Sequence, residues 1–316
     1  MDISVIIPSF NEKESLPELT AWIDRVMTKH NFSYEIIIVD DGSTDGSWST
    51  VEELSKGNPN IHGICFRRNY GKSAALYCGF DKAQGEVVFT MDADLQDSPD
   101  EIPEMYRMIR EEDYDIVSGW KQNRQDNALT KNLPSKLYNA TARRITGIKL
   151  HDMNCGLKAY KNEVVKSVEV YGEMHRYIPY LAKNAGYTRI GEKPVHHQKR
   201  KYGKSKFGAS RFINGFLDLM SLWFLSTFSK KPMHFFGYSG LFMFLVGGIM
   251  TIWIIAEKLI NQANGLKYRA VTDQPLFYLA LLAVILGVIL FLAGLIGEMI
   301  SRSSGERNRY NIKSEF

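Results

Sequence analysis

The chain is predicted to be an α/β protein: a mainly parallel sheet flanked by helices, followed by interfacial helical sequence and a two-helix transmembrane hairpin. Three observations predict it. Short runs rich in Ile and Val alternate with segments of helical period over residues 3–118, the pattern of strands joined by crossover helices. Polar clusters directly follow several of these runs, where open parallel sheets take their ligands. Two charge-free apolar runs occupy the C-terminal third, each about the twenty residues that cross a bilayer.

The elements follow in order. Residues 3–8 form a buried strand, and 12–29 a helix with Leu16, Leu19, Ile23 and Val26 on one face. Residues 34–39 are a second strand, ending in Asp40-Asp41-Gly42-Ser43 before a helix over 47–56. A third strand over 61–66 leads to a helix over 73–84, and a fourth over 86–91 to a helix over 103–111. A fifth strand covers 115–118. Periodicity is weaker beyond it, with amphipathic helices expected over 135–146 and 207–228. The second of these sets Phe, Leu, Trp and Met beside basic residues, as in a helix lying in a membrane interface; a packing helix of a soluble domain has the same pattern. Residues 235–256 and 276–297 are the spans. The organisation expected is a cytoplasmic domain over 1–206, an interfacial helix over 207–230, two transmembrane helices within 231–300 (about 235–257 and 275–298) and a cytoplasmic tail over 301–316.

Composition narrows the function classes. The mean hydropathy of −0.21 conceals a contrast between a mixed N-terminal region and an apolar C-terminal third. A net charge of +4 on 316 residues gives no reason to invoke nucleic acid. Basic residues crowd ahead of the first span, in HHQKRKYGKSK and SKK, and beside a bilayer such residues meet lipid headgroups. Lys230 and Lys231 precede the first span, and Arg302, Arg307, Arg309 and Lys313 follow the second. The connecting loop sets Lys258, Lys267 and Arg269 against Glu257 and Asp273, so the bias favours both ends on the cytoplasmic side of an inner, plasma membrane. Three cysteines without a CxxC pair predict reduced thiols rather than a disulfide framework or a zinc site. The N-terminus runs straight into a strand pattern, with no basic and apolar leader.

The chemistry-bearing residues lie at strand ends. Asp92-Ala93-Asp94-Leu95-Gln96 follows the fourth strand, and two carboxylates so placed can converge on one hard cation that bridges to a diphosphate. A solvated acidic loop before a helix cap has the same spelling, and Asp97 and Asp100 suit that turn and cap. Asp40 and Asp41 offer acceptors for a base or ribose, or an Asx-turn, for which Asp41-Gly42-Ser43 is well suited. Gly71-Lys72-Ser73 and Gly203-Lys204-Ser205 are not P-loops, because Phe66 and Gln198 stand where that motif needs glycine. Lys121 and Arg124 form one basic cluster, and Arg200, Lys204, Ser205 and Lys206 another. Two such clusters near acidic ligands suit two phosphorylated substrates, or a headgroup-binding surface. His175, His196 and His197 lack partners at metal-ligand spacing and are expected on the surface.

In this order VIIPSFNE, IIIVDDGSTDGS, NYGKSAAL, MDADLQDSPDEI and VSGWKQNRQD resemble family 2 glycosyltransferases of the GT-A, Rossmann-like fold. Within that family they are similar to the polyprenyl-phosphate branch, which includes dolichol-phosphate mannose synthase and bacterial undecaprenyl-phosphate glycosyltransferases. The resemblance runs from Ile3 to about Phe207, and bacterial members share two C-terminal spans. It implies that Pro8, Phe10, Asn11, Glu12 and Asp40 hold the nucleoside, and that Gly71 and Lys72 lie along the nucleotide. Asp92, Asp94 and Gln96 would bind Mg²⁺ or Mn²⁺ with the diphosphate. Lys121 and Arg124 would meet the acceptor phosphate, with lysine where arginine is commoner. Arg200, Gly203, Ser205 and Lys206 fit an R-x-x-G-x-S-K loop closing over both substrates, with Phe207 where an aromatic is usual. Asp94, Lys121, Arg124 and Arg200 would be the catalytic residues. The implied reaction is inverting transfer from a nucleotide-sugar, with UDP as the expected carrier, to undecaprenyl phosphate for cell-envelope polysaccharide. A processive polysaccharide synthase is the rival, but its QxxRW motif has only a faint echo in Gln198 to Tyr202. A non-catalytic membrane scaffold would not need the intact acidic motif. The oligomeric state stays open, a homo-oligomer included.

Overall fold

The structure is a computed structural model and describes residues 1–122, 142–144, 146–172, 174–198, 200–202, 224, 232–267, 269–303, 310 and 312–316. Of the two amphipathic helices expected, residues 142–144 and 146 of the first are helical. The second lies outside the described residues apart from Phe224.

Central strands buried on both faces read as continuous apolar runs, and the first half of the chain obeys this. β1 (Ile3–Ser9) lies between β2 (Tyr34–Asp40) and β4 (Val87–Thr90), parallel to both, and β3 (Ile61–Phe66) continues the parallel set beyond β2. The connecting helices are α1 (Leu16–Lys29), α2 (Ser47–Gly57) and α3 (Lys72–Lys82), and α4 (Ile102–Arg110) follows β4. The predicted apolar face of α1, Leu16, Leu19, Ile23 and Val26, is buried, and Leu16, Leu19 and Ile23 with the adjacent Met27 pack with Ile102, Met105 and Ile109 of α4 against Ile3, Val5, Ile36 and Phe89. Each such side chain contributes about 1.5–3 kcal/mol on leaving water.

In the second half of the sheet β5 was expected, but its neighbours β6 and β7 were not. β5 (Ile116–Trp120) does not pair with β4; between them runs β6 (Lys158–Lys161), antiparallel to both. Two short helices, α5 (Asn162–Ser167) and α6 (Ile178–Asn184), lead to β7 (Ile190–Pro194), parallel to β5. β8 (Ile312–Glu315) comes from the far C-terminus and adds antiparallel to β3. Among the described residues the order is β7-β5-β6-β4-β1-β2-β3-β8. The strand order reverses at β1, so a crevice opens beyond its carboxyl end and that of β4.

Compactness divides the chain into one unit of Met1–Leu219 with Arg307–Phe316, and a second of Met220–Glu306. The second contains α7 (Pro232–Ala263) and α8 (Pro275–Ser303). Within Met233–Ala263 and Pro275–Gly297, 18-residue stretches reach mean hydropathies of 2.1 and 3.1, and both helices are long enough to cross a membrane. Phe242 and Trp253 are 67% and 69% exposed, a surface that suits lipid rather than water. The two helices approach closely at Gly240 and Gly287, where an added Cβ would meet the other glycine's carbonyl oxygen at 2.6 and 2.7 Å.

Candidate active site

A cavity of about 430 Å³ occupies the crevice at the ends of β1 and β4. Pro8, Phe10 and Glu12 reach it from the end of β1, Asn69, Gly71 and Lys72 from the start of α3, and Asp92 and Asp94 from the end of β4. Arg200 lines it too.

The two aspartates at the end of β2 divide their work in the reverse of the expected way. Asp40 is fully buried and accepts from the Ser43 amide at 3.2 Å, from the Ser43 hydroxyl and from the Cys65 thiol at 3.5 Å. It therefore forms the turn and does not line the cavity. Asp41 lines the cavity and accepts from the amides of Tyr70 and Gly71 at 2.6 and 2.9 Å. Burial raises its pKa against those two donors. Gly42 lets the turn pass: its φ is +72°, and a Cβ there would stand 2.6 Å from the Arg68 carbonyl carbon. Asn11, expected at the nucleoside, is a strut. Its φ is +55°, its amide donates to Ser43 Oγ at 2.8 Å, and its Oδ1 accepts from the Thr44 amide at 2.9 Å.

The acidic motif turns sharply. Leu95 adopts a φ of +58°, rare for a leucine, and is buried while its neighbour Asp94 faces the cavity. Asp92 is ion-paired to Lys72 at the first turn of α3. Burial opposes its charge, but Lys72 and Lys121 together hold its carboxyl below the usual range. Among the described residues Asp94 has no ion pair, and burial and then the charge of Asp92 push it up to about 6. Gln96 does not line the cavity; its side-chain nitrogen donates to the Gln198 carbonyl at 3.4 Å. Among the described residues no group of three His, Cys, Asp or Glu side chains stands ready for a metal. Asp92 and Asp94 still fit one, because Mg²⁺-type ions often use one or two carboxylates and take their other ligands from substrate phosphates.

The basic residues separate. Arg200 pairs with Glu12 and donates from Nε to the Tyr202 carbonyl at 2.9 Å. Lys121 is 11% exposed and lies 2.7 Å from the buried Asp97. Burial works against its charge, yet Asp97 raises its pKa. It braces the acidic turn and does not line the cavity. Arg124, Gly203, Lys204, Ser205, Lys206 and Phe207 lie outside the described residues.

His175, Arg176 and Lys158 are among the cavity residues that escaped the sequence reading. His175, expected on the surface, lines the cavity with Nδ1 3.2 Å from Ser73 Oγ. Burial, then Lys72, holds its pKa well below the ordinary value, so the ring is neutral. Arg176 follows it. Lys158, on β6, is 3% exposed and donates to the carbonyls of Met153 and Cys155. No local pattern distinguishes these positions; tertiary packing brings them to the cavity.

Comparison with known proteins agrees with this arrangement. The profile of Glycosyl transferase family 2 matches residues 4–168. A dodecaprenyl-phosphate galacturonate synthase from Rhizobium johnstonii is 34% identical over 305 residues, covering 96% of this chain and 88% of that protein. An undecaprenyl-phosphate 4-deoxy-4-formamido-L-arabinose transferase from Shewanella sediminis is 34% identical over 98% of this chain and 91% of its own. Among solved structures, glucosyl-3-phosphoglycerate synthase from Mycobacterium tuberculosis, in complex with Mn²⁺, UDP-glucose and glycerol 3-phosphate, superposes with a TM-score of 0.53. That match covers 70% of this chain and 80% of the other at 19% identity, a likeness of fold. The family profile, the relatives matched over nearly the full length and the acidic motif at the switch point of a GT-A sheet lead to one conclusion: the chain belongs to glycosyl transferase family 2 and is a glycosyltransferase.

Proposed function

We propose that this enzyme transfers a sugar from a nucleoside-diphosphate sugar, with uridine diphosphate as carrier, to a polyprenyl phosphate at the cytoplasmic face of the inner membrane. The observation that carries this reading is one cavity in which Asp92 and Asp94 face Lys72 and Arg200, in a chain with two helices fit to cross a membrane. Relatives named for dodecaprenyl and undecaprenyl phosphate support a lipid phosphate as acceptor. The chain leaves its catalytic unit near 219 and rejoins it at 307, which supports an even number of crossings and both hairpin ends on one face.

In this reading Pro8, Phe10, Glu12 and Asp41 hold the nucleoside, and Asn69, Gly71 and Lys72 run along the diphosphate. Asp92 and Asp94 would hold a divalent metal, which when bound offsets charge growing on the leaving diphosphate. The acceptor phosphate oxygen is already an anion, so attack on the anomeric carbon with inversion needs no strong general base. Cations must instead hold two anions at bonding distance, and placement of this kind supplies much of the rate. Arg200 is one such group; Arg124, Ser205 and Lys206 are assigned to the same task by resemblance alone. Lys121 acts through Asp97 on the acidic turn.

Incubating the purified enzyme with a panel of nucleotide-sugars and undecaprenyl phosphate, with and without Mg²⁺ or Mn²⁺, tests the proposal. A single lipid-phosphate monosaccharide and one nucleoside diphosphate, both metal-dependent, are expected by mass spectrometry. Polymer, or release of nucleotide without lipid product, would overturn it.

A further inference from the structure

The C-terminus returns to the catalytic sheet after the second span. Glu315, Ser314 and Ile312 pair with Ile64, Cys65 and Phe66, and the amides of Gly63 and Phe316 exchange hydrogen bonds with each other's carbonyls at 3.1 Å. Glu315 is ion-paired to Lys82, and the Phe316 ring lies 5.2 Å from that of Trp48. A four-residue edge strand adds little by itself; these side chains fasten it. Tyr310 then packs its ring against Phe66, Tyr70 and Tyr77, with centroids at 5.7, 5.5 and 6.2 Å.

Tyr70 connects this cluster to the active site. Its amide and that of Gly71 donate to Asp41, and the next residue, Lys72, pairs with Asp92. On the other side Gly42 presses against the backbone of Arg68. The 67–72 segment is thus held between the β2 turn and the ring of Tyr310.

We propose that Tyr310 is a positioning residue for the donor nucleotide: the C-terminal strand sets its ring behind Tyr70 and so fixes Asn69, Gly71 and Lys72 in the orientation that receives the diphosphate. The inference rests on the cavity being the donor site. A loop fixed before binding loses less freedom on binding, so the contribution falls on donor affinity rather than on the chemical step.

The test uses the full-length enzyme and its Tyr310→Ala, Tyr310→Leu and Tyr310→Phe variants. Binding of UDP with Mg²⁺ is measured by calorimetry, beside donor KM, acceptor KM, kcat and melting temperature. Tyr310→Ala should raise UDP Kd and donor KM about five- to tenfold, the scale of one or two aromatic contacts, with kcat and acceptor KM within about twofold. Tyr310→Phe should match the wild type, because the contact is made by the ring. Tyr310→Leu keeps apolar volume without the ring; it should weaken UDP binding as Ala does, and it serves where the alanine variant does not fold. A lower melting temperature with unchanged donor KM would overturn the proposal, and so would a Phe variant as weak as Ala. If the wild type itself bound no UDP, the donor-site reading would fall first and this inference with it.

Discussion

Asp94→Asn should uncouple activity from stability. Burial and the neighbouring Asp92 raise the Asp94 carboxyl from 3.8 to about 6. An acid whose pKa is higher folded than unfolded is most comfortable protonated. Its cost to folding is absent below 3.8, grows as the pH climbs to about 6, and is constant above that. A rise of this size corresponds to roughly 3 kcal/mol, trimmed to about 2 kcal/mol because Asp94 keeps some contact with solvent. Asparagine has nearly the same shape without the charge. The metal-free variant should therefore be more stable than the wild type at pH 7.5 by about 2 kcal/mol, or ~4–8 °C for a unit of this size. The gain should vanish near pH 4. Turnover should fall at least ~100-fold if Asp94 holds the metal as proposed. Asp92→Asn should behave oppositely and lose about 1 kcal/mol, because it strips Lys72 of its partner at a half-exposed site. Scanning fluorimetry in detergent with EDTA across pH 4.5–8, beside product assays, measures both effects. An Asp94→Asn protein no more stable than the wild type at pH 7.5, or one keeping a substantial part of its activity, would refute the reasoning.

Arg200→Lys keeps the charge but loses the planar fork that pairs with Glu12 and reaches the Tyr202 carbonyl. Its kcat with lipid acceptor should drop ~10–100-fold while UDP binding changes by less than about threefold; equal turnover with a water-soluble polyprenyl phosphate would remove Arg200 from catalysis. His175 is held neutral in the fold, below its ordinary value of 6.5. Its stabilising effect is complete above pH 6.5 and is lost as the unfolded chain takes up a proton below it, by about 1.4 kcal/mol per pH unit. His175→Gln should flatten that loss between pH 6.5 and 5 in thermal melts; an unchanged slope would show that another group carries it. The opposite slope from Asp94 is shared by both proteins and cancels in the comparison.

The parallel half of the sheet was legible because strands buried on both faces are spelled as apolar runs. β3 was located to the residue, and β1 and β2 to within one. β6 was not legible, since four residues with lysines at both ends carry no period, and neither was β7, which is half exposed. β8 is hydrophilic and is made a strand by its pairing with β3. The acidic motif could be assigned because it ends an apolar strand. Asp40 and Asp41 could not be told apart, because adjacent carboxylates differ only in which way the turn directs them. His175 read as a surface residue because its burial depends on contacts with Ser73, far away in sequence.

The ion pairs of the cavity have a consequence for binding. Lys72 is held by Asp92 and Arg200 by Glu12, so these two cations of the proposed reaction are already paired with carboxylates. Removing one partner of a partly buried pair leaves the other uncompensated, at a cost in free energy. An exchange avoids that cost. In the proposed function Lys72 would exchange Asp92 for a donor phosphate, and Asp92 with Asp94 would hold the divalent cation. Arg200 would exchange Glu12 for a phosphate of either substrate, and Glu12 would be freed for a ribose hydroxyl. Among the described residues Asp94 has no ion pair, and it is a carboxyl that burial and Asp92 push upward. Nucleotide without metal would satisfy Lys72 but strand two adjacent carboxylates; metal without nucleotide would strand Lys72. The two should therefore bind with positive cooperativity, each tightening the other by the same factor, as linkage requires. Calorimetric titrations of UDP with and without Mg²⁺, and of Mg²⁺ with and without UDP, measure both arms. Affinities that do not respond to each other would refute the exchange.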